Sequence, residues 1–537
     1  MKRFLLCTFL AAWMATAGIA DQLRDMQLAA EEEEKATWAH WGNDPKTYNQ
    51  WTNHSNRLVP VYSFGISLDE FTGKQSVYRD ANRLRSVYGR LPKATHNRNA
   101  NYMDQTDIYR LQRQALISGK KYIILMVFDG MDWQTTQAAS IYKTQTVGYD
   151  SGRGSGLFFQ DYKDAETDFG FFVSSPHNSG TDYDINSQTV ANPGGDKQGG
   201  YSVAWGGATP WAKPRTADYL LGEERALPHV VTDSASSATS MTSGIKTYNS
   251  AINVDINGNQ VTPIARVLQK ERDFSIGVVT SVTISHATPA CAYANNVNRN
   301  DYQDLSRDML GLPSIAHRTN PLSGVDVLLG GGWGEIVEES EDEEENKDVR
   351  EKQGHNFIFG NKFLTDADLK SIDVENGGKY RVATRTKGRL GKDVLLEAAR
   401  KARAEKTRLF GFFGAHGGNL PYQTADGKFD PVKDKYTEEE ISENPTLADM
   451  TRAALGMLSA NKNGFWLMVE AGDVDWANHK NNIDNSIGAV LSGDDAFRMI
   501  TRWVEANNAW DETAVIVTAD HGHFLVLDKP TALIREE

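Results

Sequence analysis

Short apolar runs recur along the chain at 58–64, 122–127, 275–280, 325–329, 409–413, 465–469 and 514–517. They are rich in Val, Ile, Leu and Phe, and their lengths suit buried strands. Between them, apolar residues return at helical spacing over 394–404, 450–459 and 496–506. Strands alternating with helices predict an α/β fold: one large, doubly wound, mostly parallel sheet with helices on both faces. No internal repeat interrupts this order. Two stretches with weak periodicity read as insertions, 147–214 (rich in Gly, Asn, Ser and Tyr) and 335–355. The second opens on an acidic run, 335–348, with nine carboxylates and one Lys, and a smaller acidic run occupies 31–34. Both acidic runs read as solvated faces or loops.

Composition narrows the class. Of 537 residues, 40% are hydrophobic, and 71 acidic side chains outnumber 57 Lys and Arg, for a net charge of -14. That is a globular composition, and its acidity argues against a nucleic-acid-binding module. Lys2 and Arg3 precede an apolar stretch at 4–17, followed by Gly18 and Ala20. This is the pattern of a secretory signal peptide over 1–20, with an N-terminal anchor as the alternative reading. It predicts an exported protein, periplasmic or extracellular, over 21–537. No later segment is long and apolar enough to span a bilayer. Cys7 would leave with the signal, so Cys291 has no intramolecular partner.

Functional side chains in open α/β sheets lie just past the carboxyl ends of strands. Asp129-Gly130 follows 122–128, and Asp233-Ser234 follows 229–232, here read as a further strand end. His286-Ala287-Thr288-Pro289 follows 274–283, with Arg299 eleven residues past Thr288. Glu470, Asp475 and His479 follow 465–469, and Asp520-His521-Gly522-His523 follows 514–518. Each group alone is ordinary, but all of them at strand ends is not. Asp475 and His479, four apart, share one face of a helix and suit Zn²⁺. Asp520 and His521 offer a second such set, and Asp129 and Glu470 add oxygen ligands of the kind Mg²⁺ prefers. Ser234 opens a helix whose N-terminus favours an anion. A serine hydroxyl needs activation to attack, and no Gly-x-Ser-x-Gly elbow surrounds it.

These motifs resemble the alkaline phosphatases. Asp-Ser-Ala-x-x-Ala-Thr at 233–239, His-Ala-Thr-Pro at 286–289 with Arg299, Glu-x4-Asp-x3-His at 470–479, Thr-Ala-Asp-His-Gly-His at 518–523 and the glycines at 330–332 carry the resemblance, over about 122–530 outside the insertions. It implies an exported phosphomonoesterase with two Zn²⁺ and one Mg²⁺, acting on small phosphate monoesters through a phosphoserine, and a possible homodimer. By the same resemblance, Asp475 and His479 hold the first zinc. Asp129, Asp520 and His521 hold the second, with Ser234 as exchangeable ligand. Asp129, Thr288 and Glu470 hold Mg²⁺, and Arg299 clamps the phosphate. Asp233, His286, Trp476 and His523 surround these groups. His286 and Trp476 stand where other members carry different residues.

The family's first zinc takes a further histidine downstream of the Asp-His pair, and none follows His523. His54, ahead of the run at 58–64 and of Asp104-Gln105-Thr106-Asp107, stands in an order that resembles the family's C-terminal end. The expectation is therefore a circular permutation, with 45–118 moved to the front, 119–121 as the joint and His54 as the missing ligand. His416, in a Gly-rich loop, is the fallback. A phosphodiesterase on the same fold and a non-catalytic exported phosphate- or metal-binding protein are the competing readings. The prior from length alone, three or four domains, gives way to a single domain, because residues from 54 to 521 must meet in one pocket.

Overall fold

The computed structural model describes residues 22–535. The proposed signal segment and Cys7 lie outside them. Ten strands form the central sheet: β1 Val59–Phe64, β2 Met103–Asp104, β3 Tyr122–Phe128, β4 Thr167–Val173, β5 Ser275–Thr283, β6 Val327–Gly331, β7 Tyr380–Thr384, β8 Arg408–Phe412, β9 Phe465–Ala471 and β10 Thr513–Thr518. Their order is β7-β8-β6-β5-β9-β3-β10-β1-β4-β2. From β7 to β10 all pairings are parallel, whereas β1 runs antiparallel to both β10 and β4. The sheet is thus mostly parallel, as the alternation of runs and helices predicts.

Each apolar run of the sequence becomes a strand because both its faces are covered. In β9, Phe465 meets Trp503 of helix Ile483–Ala506 on one face, with ring centroids 5.2 Å apart. Its neighbour Trp466 donates its indole N–H to Gln112 of helix Thr106–Ile117 on the other, at 2.8 Å. Successive strand residues point to opposite faces, so a run apolar at every position requires two helical layers.

Two expectations change, and a third gains detail. The segment 147–214 is not wholly peripheral, because β4 within it pairs with β1 and β2. Residues 229–232, read as a strand end, form no ladder strand; they run without regular structure into the helix that begins at Ser234. The acidic run 335–348 is partly helical, since Glu343–Gln353 forms a helix capped by Asp342, with Glu343, Glu344 and Glu345 in its first turn. Carboxylates there meet the positive end of the helix dipole.

Four two-stranded ladders lie outside the main sheet among the described residues, and one of them joins the two ends of the chain. Ala39–Trp41 pairs antiparallel with Leu525–Leu527, Ala39 opposite Leu527, and Lys529 N–H donates to Trp38 O at 3.0 Å. The two strands have the pairing of a hairpin, yet they are separated by almost the whole chain. Among the described residues, no helix is long and apolar enough to cross a membrane, and Cys291 is buried and unpaired.

Candidate metal centre

The residues past the carboxyl ends of β3, β5, β9 and β10 converge on the start of helix Ser234–Ser243. Asp233 caps that helix by accepting from Ser236 N–H at 2.9 Å. All ten of its residues are buried although nine are Ser, Thr or Ala. Its hydroxyls survive burial by bonding back within the helix, as Ser240 does to Ser236 O and Thr242 to Ala238 O. Small side chains let neighbouring elements close in, and Gln112 of helix Thr106–Ile117 reaches Met241 O at 2.9 Å.

A first group joins the front of the chain to helix Asp473–His479. His54 Nε2 lies 3.2 Å from His479 Nε2 and 3.6 Å from Asp475 Oδ1, and His479 Nε2 lies 3.4 Å from the same oxygen. Donors about 2.0–2.1 Å from a tetrahedral zinc stand about 3.3 Å from one another, so these three atoms have the spacing of one zinc shell. Both rings are aimed by backbone. His54 Nδ1–H donates to Thr232 O at 2.8 Å, and His479 Nδ1–H donates to Thr52 O. That leaves each Nε2 lone pair facing inward. His523 bonds Asp475 Oδ1 at 2.7 Å and so braces the carboxylate.

The second group has the same spacing. His521 Nε2 is 3.3 Å from Asp129 Oδ1, 3.3 Å from Asp520 Oδ2 and 3.2 Å from Ser234 Oγ. The two groups are adjacent, since the His54 and His521 rings stack at 3.6 Å and His521 Nε2 is 4.0 Å from Asp475 Oδ1. A third group brings Asp129, His286 and Glu470 within 4.8 Å of one another. Thr288 joins it by donating to Asp129 Oδ2 at 3.4 Å. His286, expected only around this group, reaches it directly. His416, the fallback ligand, lies elsewhere: it is exposed and its ring faces Glu440.

The electrostatics call for cations. Burial, then repulsion from Asp520, Asp475 and Glu470, pushes the Asp129 carboxyl well above its usual range. Burial foremost raises Glu470 to about 8 and Asp520 to about 6. Asp475 moves the other way: burial opposes its charge, but His479, His523 and His54 outweigh it. Asp129 Oδ1, Glu470 Oε1 and Asp520 Oδ2 are buried without any hydrogen-bond partner. Orphaned buried carboxylate oxygens are costly, and divalent cations would satisfy them. The donor set, nitrogen with oxygen in two groups and oxygen-rich in the third, fits Zn²⁺ and Mg²⁺ chemistry.

An open pocket of about 330 Å³ lies above, lined by His54, Ser234, His286, Arg299, Asp475, Trp476, His479 and Lys480. Arg299 Nη1 donates to Asp233 Oδ2 at 3.1 Å, and Nη2 stands 3.2 Å from His286 Nε2. Burial, then Arg299, lowers His286 to about 3, so its neutral ring accepts from the guanidinium. Burial disfavours the Arg299 charge, but Asp233 holds it firmly on. Trp476 packs edge-on to His286, with centroids 5.8 Å apart.

A family model described as "Alkaline phosphatase" matches residues 216–532. The chain belongs to the alkaline phosphatase family. Alkaline phosphatase H of Pseudomonas aeruginosa is 30% identical over 315 residues, covering 57% of this chain and 60% of that protein. The alkaline phosphatase of Escherichia coli is also 30% identical over 315 residues, covering 57% and 61%. The tissue-nonspecific isozyme of Mus musculus is 26% identical over 308 residues, covering 55% and 52%. The chain thus spans between about half and three-fifths of these relatives' length. A solved structure of the cold-active alkaline phosphatase of a Shewanella species overlaps with a TM-score of 0.43 at 22% identity, covering 75% of this chain and 68% of that one. That of Thermus thermophilus gives 0.44 at 23%, covering 75% and 60%.

Sequence reasoning missed several parts of this phosphatase-family site. The carbonyls of Thr52 and Thr232 carry no sequence signal, because any residue could supply them. Thr280, which bonds Glu470, hides inside an apolar run. Lys480 follows a ligand-spaced histidine with nothing to mark it. Arg57, three residues past His54, was legible only as a cation: it donates to Asp132 Oδ2 and Leu525 O at 3.2 and 2.7 Å, tying the front segment to the loops after β3 and β10.

Proposed function

We propose that the protein is an exported phosphomonoesterase that hydrolyses phosphate monoesters through a phosphoserine at Ser234. The observation that carries this reading is the set of donor atoms at zinc-shell spacing around Ser234, beside a part-buried Arg299. His54, Asp475 and His479 would hold one Zn²⁺; Asp129, Asp520 and His521, with Ser234, a second; and Asp129, Thr288 and Glu470 would hold Mg²⁺, with His286 alongside. When bound, these cations would supply Lewis acidity, lowering the pKa of the serine hydroxyl and stabilising charge on the leaving oxygen.

The chain's own residues do the rest. Asp233 fixes one arm of Arg299 and His286 the other, so the guanidinium fork meets two phosphoryl oxygens in a set orientation. The N-terminus of helix Ser234–Ser243 adds positive potential beneath the phosphate. Ser234 Oγ attacks phosphorus in line, the bond to the alcohol oxygen breaks, and the alcohol leaves with a proton. Water then attacks the phosphoserine, releasing phosphate and restoring the hydroxyl. Such a reaction is mostly positioning and charge stabilisation. Release of phosphate from an aryl phosphate with Zn²⁺ and Mg²⁺ supplied, and its slow release from the matching diester, is the expected result. Faster diester turnover would favour a phosphodiesterase, and turnover of neither would favour a binding protein.

The reading includes a circular permutation. His54 supports it by contributing from the front of the chain to a group otherwise built after residue 129. The ladder between Ala39–Trp41 and Leu525–Leu527 supports it further. A short turn from 527 to 39 would make an ordinary hairpin and would run His521 and His523 directly on to His54.

A further inference from the structure

The pocket above Ser234 is larger than its phosphoryl end requires, and two of its walls take no part in the reaction centre. Trp476 and Lys480 stand four residues apart, so they rise on one side of the mouth. Lys480 is half exposed, and its ammonium donates to Asp434 Oδ1 at 2.7 Å. Asp434 is itself held, because its other oxygen accepts from Asn485 Nδ2 at 3.1 Å. The Lys480 nitrogen also stands 5.4 Å over the Tyr422 ring. An ammonium has three N–H donors, and one is committed to Asp434. The mouth therefore carries a tethered cation with donors to spare, next to the space that the alcohol part of a substrate must fill.

We propose that Lys480 determines substrate preference by reading a second anionic group on the alcohol part of the ester. The favoured substrates are then phosphate monoesters that carry a further carboxylate or phosphate. Asp434 acts as the counterweight, because its charge opposes the same group and limits the preference. This rests on the phosphomonoesterase reading above, and it names a substrate class that the reaction centre alone does not select.

The two residues make opposite predictions. The readout is the ratio of kcat/KM for 4-carboxyphenyl phosphate to that for phenyl phosphate, which cancels any effect common to both esters. Lys480→Met is expected to lower the ratio about two- to fivefold, the reach of a partly exposed ion pair. Asp434→Asn is expected to raise it by a similar factor. Lys480→Arg, which keeps the charge, holds the wild-type ratio, and added salt brings all the ratios together. A merely structural role would move both esters alike. A wild-type enzyme that hydrolyses both esters, with a ratio unchanged in both variants or shifted the same way, overturns the proposal alone. A wild-type enzyme that hydrolyses neither overturns the phosphomonoesterase reading, and this preference with it.

Discussion

At the scale of single residues, the account turns on atoms brought together from distant parts of the sequence. His54 is the sharpest case. Its Nε2 completes a triangle with Asp475 and His479, and its Nδ1 is fixed by Thr232 O. His54→Ala removes a donor outright. Zinc affinity at that site should fall by more than the roughly 10- to 100-fold that loss of a ligand's supporting hydrogen bond costs. A competitive zinc titration should count one tight site fewer. His416→Ala is the matched control, and it should leave the titration untouched because that ring sits on Glu440. Full zinc binding in the His54 variant would remove it from the centre.

At the scale of elements, the loop after β3 is packed closely against the site. Gly130 has φ +75°, and a Cβ there would lie 2.8 Å from the His523 ring and 3.1 Å from the Asp475 Cα. Gly130→Ala should therefore cost about 1–3 kcal/mol, read as a lowered midpoint in denaturant unfolding. A neutral result would mean that the loop relaxes freely. The same scale shows what was legible beforehand. The central strands were, because burial on both faces leaves an unbroken apolar signature, as in β3 and β9. The flanking strands β4 and β7 were not: Thr167–Val173 and Tyr380–Thr384 mix polar with apolar residues, since sheet edges need less cover. Most side chains of the site were legible through spacing, but the extended 229–232 segment was mistaken for a strand. Its apolar residues and its position before a helix mimic one, yet it makes no ladder. His286, expected around the Mg²⁺ group, comes within 4.8 Å of Asp129 and Glu470, a closeness that sequence distance does not show.

At the scale of the whole molecule, the crowded carboxylates link metal to stability. A carboxyl whose pKa is raised on folding keeps a proton that the unfolded chain has lost. Metal-free protein should therefore lose stability as pH rises from the ordinary value of 4.5 toward the 8 of Glu470. Below 6.5 the trend is opposed, because His286 and His523, lowered to about 3 by burial, must be charged on unfolding. The clean window is pH 6.5 to 8, where thermal midpoints should fall without metal and hold steady with Zn²⁺ and Mg²⁺ bound. A flat metal-free profile would contradict the raised Glu470 carboxyl. The permutation also belongs to this scale. Gly119 sits in an exposed turn with nothing within 4 Å of an added Cβ. A chain opened between Gly119 and Lys120, with residue 535 joined to residue 22 by a flexible linker, should fold and bind the same metals. Failure to fold would give the present joint a structural role. The central claim, that these dispersed residues assemble one phosphoryl-transfer centre on Ser234, is tested most directly by quenching the metal-loaded enzyme in acid during turnover of an aryl phosphate and mapping the phosphorylated peptide. The account predicts one phosphoryl group, on Ser234. Turnover with no phosphoenzyme, or with the phosphoryl group on another residue, would contradict it.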